Sequence, residues 1–558
     1  MITDFDLIIV GSGFGGSLLG MVARRLGLSV QLVERGRHPR FAVGESTSPL
    51  TNLLLEEIAR GYDLPRLLPL TTYGAWQRTY PEIGCGLKRG FTYYKHEAGL
   101  HFEKRADRAN ELLVAASPAD EVSDTHWLRA DVDHFFLKEA ISLGVKYSDE
   151  TETTLEMVGE AGGIVTLARR GSERRETCRL LIDATGPRGF LHRALGLEER
   201  EFVGFPRTRG LFSHFVEVPR TEDLPQFGRS EGAPYRPDDA ALHHVFDDGW
   251  MWVLRFGNGV TSAGFSVTEE LAAELDLSDR ERAWSRLLAR YPTVGAQFAC
   301  AQRVQPWLAS DRLAFRSGAA TGPGWAMLPS AAAFVDPLFS TGIPLTLIGI
   351  QRLGELLAEA WGGPHLSGRL RRYADLTLSD ADWSAEFVGG CFAAMPHFPA
   401  FVDYSMYYFA AASFGEMARR IGRRDLASRF MLQNRPDFAA GLRSGAMSLH
   451  AWRARRNAGE AGVLGGNAHG QGHCGPQADA ASRTYRATQM GPPATLNADV
   501  TAAVRSSNIA GLCDPAKRNW YGIDLQDLID NAERLGLTPA SMRALLAEAD
   551  WASGGDRQ

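Results

Sequence analysis

Three groups of residues in this chain have the types and spacing to do chemistry. The first is Gly11-Ser12-Gly13-Phe14-Gly15-Gly16, a Gly-x-Gly-x-x-Gly run. In such a run Gly11 allows a tight turn, Gly13 lets backbone approach a pyrophosphate, and Gly16 lets helix and strand pack closely. A helix N-terminus behind it supplies free N–H groups and a positive dipole end. Glu34 stands where an acid accepts the hydrogen bonds of a ribose. The second group surrounds Lys88, in Gly84-Cys85-Gly86-Leu87-Lys88-Arg89-Gly90-Phe91. A lysine suits catalysis when buried, because its pKa then moves readily. Most lysines are surface charges, and Lys95 is the nearest rival. The third is Asp336-Pro337-Leu338-Phe339-Ser340-Thr341-Gly342-Ile343. Ile343 begins a predicted helix through Leu357, with Pro344 tolerated in its first turn. The unpaired N–H groups at that start form a nest for an anion or contact a cofactor directly.

The elements that must position these groups follow from periodicity. Asp6 to Val10 is a short apolar run, as in a buried parallel strand. A helix is predicted from about Ser17 to Leu26, then a strand over Val30–Val33 ending at Glu34. Strand, turn, helix and strand have the lengths of a dinucleotide-binding βαβ unit. From Pro39 to Thr125 the chain reads as irregular and Gly/Pro-rich. Trp127 to Leu143 reads as a helix, and Thr153–Val158 with Gly163–Arg169 as a strand pair. Leu180-Leu181-Ile182-Asp183 is a further apolar strand ending in an acid. Residues 200 to 320 alternate strand-like segments with turns, suggesting a sheet that covers a pocket. From Leu366 the chain is mostly helical. Ala461 to Pro493 reads as a Gly/Ala/Ser-rich linker, and Thr538 to Trp551 as a capped closing helix.

Composition sets bounds. The chain has 558 residues, enough for two or three core-forming units, with 44 % hydrophobic and 23 % charged residues. A net charge of -6 is too mild to imply nucleic acid or a membrane surface. The apolar stretch Met327–Ile350 contains Asp336 and three prolines, so it reads as core. The first strand starts at once, leaving no room for a signal peptide, and a cytoplasmic protein is expected. Six scattered cysteines form no Cys-x-x-Cys pair. His469-Gly470-Gln471-Gly472-His473-Cys474 lacks a second ligand cluster, so no metal site is expected.

No second glycine fingerprint for a bound nicotinamide is present. The segments at Asp183 and Asp336 resemble flavoprotein motifs and Arg129 resembles an arginine that flavoproteins place against FAD, and with that absence these resemblances imply FAD rather than NAD. Trp250-Met251-Trp252-Val253-Leu254-Arg255 completes an ordered set that resembles the flavin-dependent halogenases, the tryptophan-halogenase-like superfamily. The likeness spans most of residues 5 to 365. It is closest to the aminopyrrole and phenol halogenases, such as the chlorinase of pyrrolnitrin biosynthesis. The resemblance implies an α/β fold with a Rossmann-like FAD-binding core of the GR2 flavoprotein type. Residues 1–200 would be its first part, with a flavin-covering insertion at 39–125. A β-rich substrate-covering subdomain would span 201–325, a return to the core with the halide site 326–365, and a helical C-terminal region 366–558.

The same resemblance assigns roles. Gly11, Gly13, Phe14, Gly16, Glu34, Arg40, Gly44, Glu45, Ser46, Arg129, Asp183, Asp336, Gly342 and Ile343 would hold FAD. Thr341 and Gly342 would hold chloride or bromide. Halide oxidised with reduced FAD and dioxygen would become hypohalous acid, pass Trp250 and Trp252, and meet Lys88. A separate NAD(P)H-dependent flavin reductase is implied, and the substrate is a small aromatic, free or tethered to a carrier protein. Phe339 lies where free-tryptophan halogenases carry a glutamate, which argues against indole and for a phenol or pyrrole. The run Phe398, Phe401, Tyr404, Tyr407, Tyr408, Phe409 is either pocket wall or core packing. Arg255 replaces the family's usual proline. That departure leaves an FAD monooxygenase, hydroxylating or epoxidising, as the alternative.

Overall fold

The computed structural model describes residues 3–228, 230–465 and 491–548. Its first sheet is built on the strand Phe5–Val10, where Leu7, Ile8 and Ile9 are fully buried on both faces. Val30–Val33 pairs parallel on one side and Ser172–Asp183 on the other, so Leu7 faces both Val30 and Leu180. Lys146–Ser148 and Trp325–Met327 extend the parallel ladder, and the antiparallel Gly162–Arg169 and Glu152–Gly159 flank it. The expected strand pair and apolar strand are therefore present.

The fingerprint helix, Phe14–Arg25, starts directly after the first strand and buries Leu18, Leu19 and Val22. Each such side chain contributes about 1.5–3 kcal/mol by leaving water. Two glycines make the junction possible. Gly11 has φ +103°, and a Cβ on Gly16 would lie 1.9 Å from the Gly11 carbonyl oxygen. Gly13 differs, because a Cβ there would come no nearer to protein than 3.5 Å.

The second sheet corrects the reading of residues 39–125 as irregular. That stretch holds a helix, Pro49–Gly61, and the strands Cys85–Lys88, Gly90–Lys95 and Glu111–Ala115. Gly90–Lys95 pairs with Glu111–Ala115 and, in parallel, with Ala241–Val245. Gly249–Arg255, Thr261–Thr268 and Thr208–Val216 continue the sheet. Trp520–Tyr521 closes its far edge against Glu111–Ala115. These partners lie 150 to 400 positions apart in places, which is why local periodicity did not reveal them.

Helices Gly342–Ala360, Leu366–Ala394, Phe398–Arg420 and Pro436–Gly465 cover the two sheets. One buried cluster runs from Leu7 through Trp250 and Phe339 to Leu442 and Leu528, joining sheets and helices. The expected linker starts later than Ala461, because the helix runs to Gly465. The rest of that segment, including His469 to Cys474, lies outside the described residues. The closing helix is Pro539–Glu548, with the Thr538 hydroxyl accepting the Ser541 N–H. Among the described residues no helix is long and apolar enough to cross a membrane, and no group of metal-ligating side chains is present.

Gly16→Ala should lower stability by about 1–3 kcal/mol through overpacking, whereas Gly13→Ala should leave the fold intact. Thermal unfolding of the two variants side by side checks this. Equal losses would show that both glycines serve the chain alone.

Candidate active site

A cleft of about 1230 Å³, part of it open to solvent, runs from the fingerprint to the start of helix Gly342–Ala360. Of the residues expected at a flavin, Gly13, Phe14, Arg40, Gly44, Arg129, Asp336, Thr341, Gly342 and Ile343 line it. Others sit behind it. Gly11 and Gly16 shape the turn. The Glu34 carboxylate accepts the Ser12 and Gly36 N–H groups at 3.1 and 2.9 Å. Burial would raise its pKa, but Arg40 and these N–H groups outweigh burial and lower it.

Asp183 corrects its assignment. Its oxygens accept the N–H groups of Thr185 and Leu191 at 2.9 and 2.6 Å, so it holds the turn whose residues Ala184 to Pro187 line the cleft. Glu45 also turns away from the cleft, to His214 Nε2 at 2.7 Å. Ser46 meets the lysine instead, as shown below. Arg129 donates to both Asp133 oxygens, at 2.8 and 2.9 Å, and to the carbonyls of Val43 and Gly44. Asp133 in turn accepts the Phe14 N–H at 3.2 Å. Sequence reasoning missed Asp133, although its i,i+4 spacing from Arg129 was visible.

This cleft fits FAD. Gly13 has no clash to relieve within the protein, so its missing Cβ opens space for a ligand. Arg40, Arg129 and the fingerprint helix offer positive charge to a pyrophosphate. At the far end the Thr341 side chain does not cap helix Gly342–Ala360, whose first N–H groups lack intrahelical acceptors. A Cβ on Gly342 would meet nothing within 4 Å.

The turn before that helix bends sharply. Phe339 and Ser340 both have positive φ, 64° and 56°, each costing about 1–2 kcal/mol. The bend sends Phe339 into the core, against Tyr93, Phe387, Phe401 and Tyr408. It aims Ser340 Oγ at Lys88 Nζ, 3.4 Å away. Lys88 is fully buried. Its ammonium donates to Ser46 Oγ at 2.9 Å and to the Thr47 carbonyl, and lies 3.9 Å over the Phe91 ring. Burial drives its pKa down, opposed by Asp124, its partner in strand register. Burial raises the pKa of Asp124 in turn. Lys95 is different in kind: it is ion-paired to Asp247 and donates to the Met395 carbonyl.

Trp250 and Trp252 lie on one strand, 1 % and 8 % exposed, with ring centroids 5.6 Å apart. The Trp250 indole N–H donates to Asp336 at 3.1 Å, and Ser266 donates to the other Asp336 oxygen at 2.6 Å. Burial raises the Asp336 pKa to about 6 despite these donors. Beyond Trp250 come His243, Tyr93 and Phe91, each ring against the next. Of the C-terminal aromatic run, Tyr408 and Phe409 line a second cleft, while Phe401, Tyr404 and Tyr407 are core.

The tryptophan halogenase family matches over residues 87–394. The monodechloroaminopyrrolnitrin halogenase PrnC of Pseudomonas fluorescens is 31% identical over 401 residues, covering 71% of this chain and 69% of that protein. The chain belongs to the tryptophan halogenase family. The tetracycline 7-halogenase of Kitasatospora aureofaciens is 29% identical, with 74% of each chain covered. The crystal structure of halogenase PltM with phloroglucinol and FAD superposes with a TM-score of 0.76 at 22% identity, over 93% of this chain and 99% of that one. The protein is thus an FAD-dependent halogenase with halide as co-substrate. The family supports halogenation, not the monooxygenase alternative.

Arg255 was the feature behind that alternative, and its geometry explains it otherwise. Its guanidinium donates to Asp238 at 2.8 Å and to the carbonyls of Val218 and Pro219. It braces the loop that holds Val218 and Pro219, with its guanidinium engaged by three acceptors.

Two tests follow. Arg255→Ala leaves buried Asp238 without its cation, so stability should fall by about 2–4 kcal/mol while product identity stays the same. Melting curves and product mass spectra check both, and hydroxylated product would contradict it. For Asp336, the folded pKa of about 6 exceeds the reference value of 3.8. The group therefore contributes stability that is full below the lower value and is lost as pH rises through the upper one. Between about pH 4 and pH 7, the stability difference should move toward Asp336→Asn by about 2–3 kcal/mol. Denaturant titrations at both pH values measure it, and a pH-independent difference would refute the shift.

Proposed function

We propose that this halogenase acts on an electron-rich aromatic of phenol or pyrrole type, free or carrier-tethered. We further propose that it works in the cytoplasm with FAD reduced by a separate NAD(P)H-dependent flavin reductase. Bound reduced flavin with dioxygen supplies the oxidant that turns halide into hypohalous acid. Arg40, Arg129 and the backbone at Gly13 hold the pyrophosphate, and Asp336 borders the flavin. The N–H groups at Thr341 and Gly342 hold the halide where helix Gly342–Ala360 begins.

Ser340 belongs to the same turn and touches Lys88, so the halide site and the lysine share one backbone bend. Lys88 receives hypohalous acid, either hydrogen-bonding it through the ammonium or, when neutral, exchanging one N–H for an N–halogen bond as the O–halogen bond breaks and water leaves. Trp250 and Trp252 stand between flavin and aromatic, and block direct oxygen transfer. The packed rings exclude water that would consume the oxidant.

The burial of Lys88 carries this reading. No carboxylate touches its amine among the described residues. Its contacts are hydroxyls, a carbonyl and a ring face. A structural lysine would be paired as Lys95 is.

Lys88→Ala should keep FAD and oxygen consumption but lose halogenated product by about 100-fold or more. Free hypohalous acid should then reach a trapping dye. Lys95→Ala should destabilise the protein yet retain product. Mass spectrometry of both variants decides it: wild-type halogenation by Lys88→Ala would overturn the assignment.

A further inference from the structure

The second cleft encloses about 760 Å³, part of it open to solvent. Helix Phe398–Arg420 forms one wall, and the segment from Ala510 to Leu528 forms the other. We propose that this cleft is the aromatic-substrate pocket, and that Glu416 selects rings bearing a neutral O–H or N–H donor. The proposal rests on the halogenase reading and deepens it.

Position is the first support. The cleft is lined by Phe91, whose ring carries the Lys88 ammonium at 3.9 Å, and by Pro49, two residues beyond Thr47. Ser340, on the other side of the amine, adjoins Thr341 in the flavin cleft. The lysine therefore sits in the wall between two clefts, with a carrier of oxidant on one side and room for an aromatic on the other.

Chemistry of the lining is the second. Phe91, Tyr408, Phe409 and Ala412 give an apolar, aromatic surface suited to a ring of one or two cycles. Into this surface projects one buried acid. Glu416 is 6 % exposed and lines the cleft. Its Oε1 accepts the Nε hydrogen of Arg420 at 2.9 Å and is ion-paired with Nη2 of the same guanidinium at 2.9 Å. Its Oε2 has no hydrogen bond among the described residues. Of the other polar groups of the lining, the Ser413 hydroxyl donates to the Phe409 carbonyl, and Asp524, which is exposed, accepts the Gln526 N–H.

A buried acceptor with a remaining lone pair discriminates strongly against ligands that leave it unpaired. Arg420 already balances its charge, so a neutral donor fits better than an ammonium. A carboxylate on the ring would meet repulsion. Glu416 also lies close enough to Asp124 to raise its pKa, after burial and against Lys88. The acid thus stands on the lysine's side of the fold.

The test uses the FAD-loaded enzyme with 2-naphthol and 2-methoxynaphthalene, which differ in the donor and one methyl group, so the isosteric Glu416→Gln separates the donor effect from size. Calorimetric titration measures binding, and mass spectrometry measures halide-dependent product. Wild type should bind the naphthol about tenfold more tightly, and Glu416→Ala should erase the preference with FAD retention unchanged. Glu416→Gln should keep a reduced preference, which covers the case in which the alanine variant misfolds. Ala412→Trp, which fills the cleft, should abolish binding of both probes. Equal binding of both by wild type, a preference that survives in Glu416→Ala, or undiminished binding by Ala412→Trp would overturn the proposal, even if halogenation proceeds. Conversely, the expected preference with no halogenated product under any halide would leave the pocket standing and sink the phenol-halogenase reading.

Discussion

The architecture turns on keeping one amine out of water. Removing an ammonium from solvent is expensive, and the protein offsets it without supplying a carboxylate contact. Two hydroxyls, a carbonyl and the face of Phe91 do that work. They come from three segments: Ser46 and Thr47 from the loop after Gly44, Ser340 from the bend before helix Gly342–Ala360, and Phe91 from the first strand of the second sheet. The strand that carries Lys88 is itself pinned. A Cβ on Gly86 would fall 1.8 Å from the Arg255 carbonyl oxygen, and Gly257 donates to the Cys85 carbonyl at 2.9 Å. The glycines around Lys88 therefore set how closely two strands cross, and that crossing fixes where the amine lies.

The second sheet does more than cover a pocket. Asp336, Trp250, His243, Tyr93 and Phe91 form a continuous file of packed groups from one cleft to the other. Such a file is dense and stiff. Lys88 touches both ends of that arrangement, Ser340 next to the first cleft and Phe91 in the lining of the second. The left-handed residues Phe339 and Ser340 are the strained hinge of that arrangement, since one plugs the core and the other touches the lysine.

Much of this was legible in the residues. The fingerprint, the parallel strands and the helix after Ile343 are local patterns, and local patterns survive folding. Lys88 stood out from Lys95 through its flanking glycines. Other parts were hidden for physical reasons. Glu45 and Ser46 have side chains whose targets, His214 and Lys88, lie across the fold, and Asp183 turns inward to the N–H groups of its own turn, so their motif positions did not reveal which way they point. Arg255 looked like a functional departure because its three partners, Asp238, Val218 and Pro219, are brought to it only by the sheet. The pairing of Gly90–Lys95 with Ala241–Val245, and of Glu111–Ala115 with Trp520–Tyr521, joins distant segments with no sequence signal. Those pairings build the second cleft, so it was not readable as a pocket, although Tyr408 and Phe409 were visible as candidates for its wall.

The two clefts also differ in charge, and that difference gives the lysine its direction. The flavin cleft gathers Arg40, Arg129 and Arg352 beside Asp336 and Asp380, and two helix N-termini whose free N–H groups favour anions such as a pyrophosphate or a halide. The second cleft is apolar, with its one buried acid balanced by Arg420. A halide is therefore favoured on one side and gains little on the other, where an uncharged ring is favoured instead. An uncharged hypohalous acid is the species that can leave the first field without an electrostatic penalty. In the proposed role, Lys88, poised between ammonium and amine by its burial, would hold that species by hydrogen bonding without fixing it as an ion pair. On the proposed assignment of the two clefts, separation of charge, more than distance alone, would keep the halide on the flavin side and let only its oxidised form reach the aromatic.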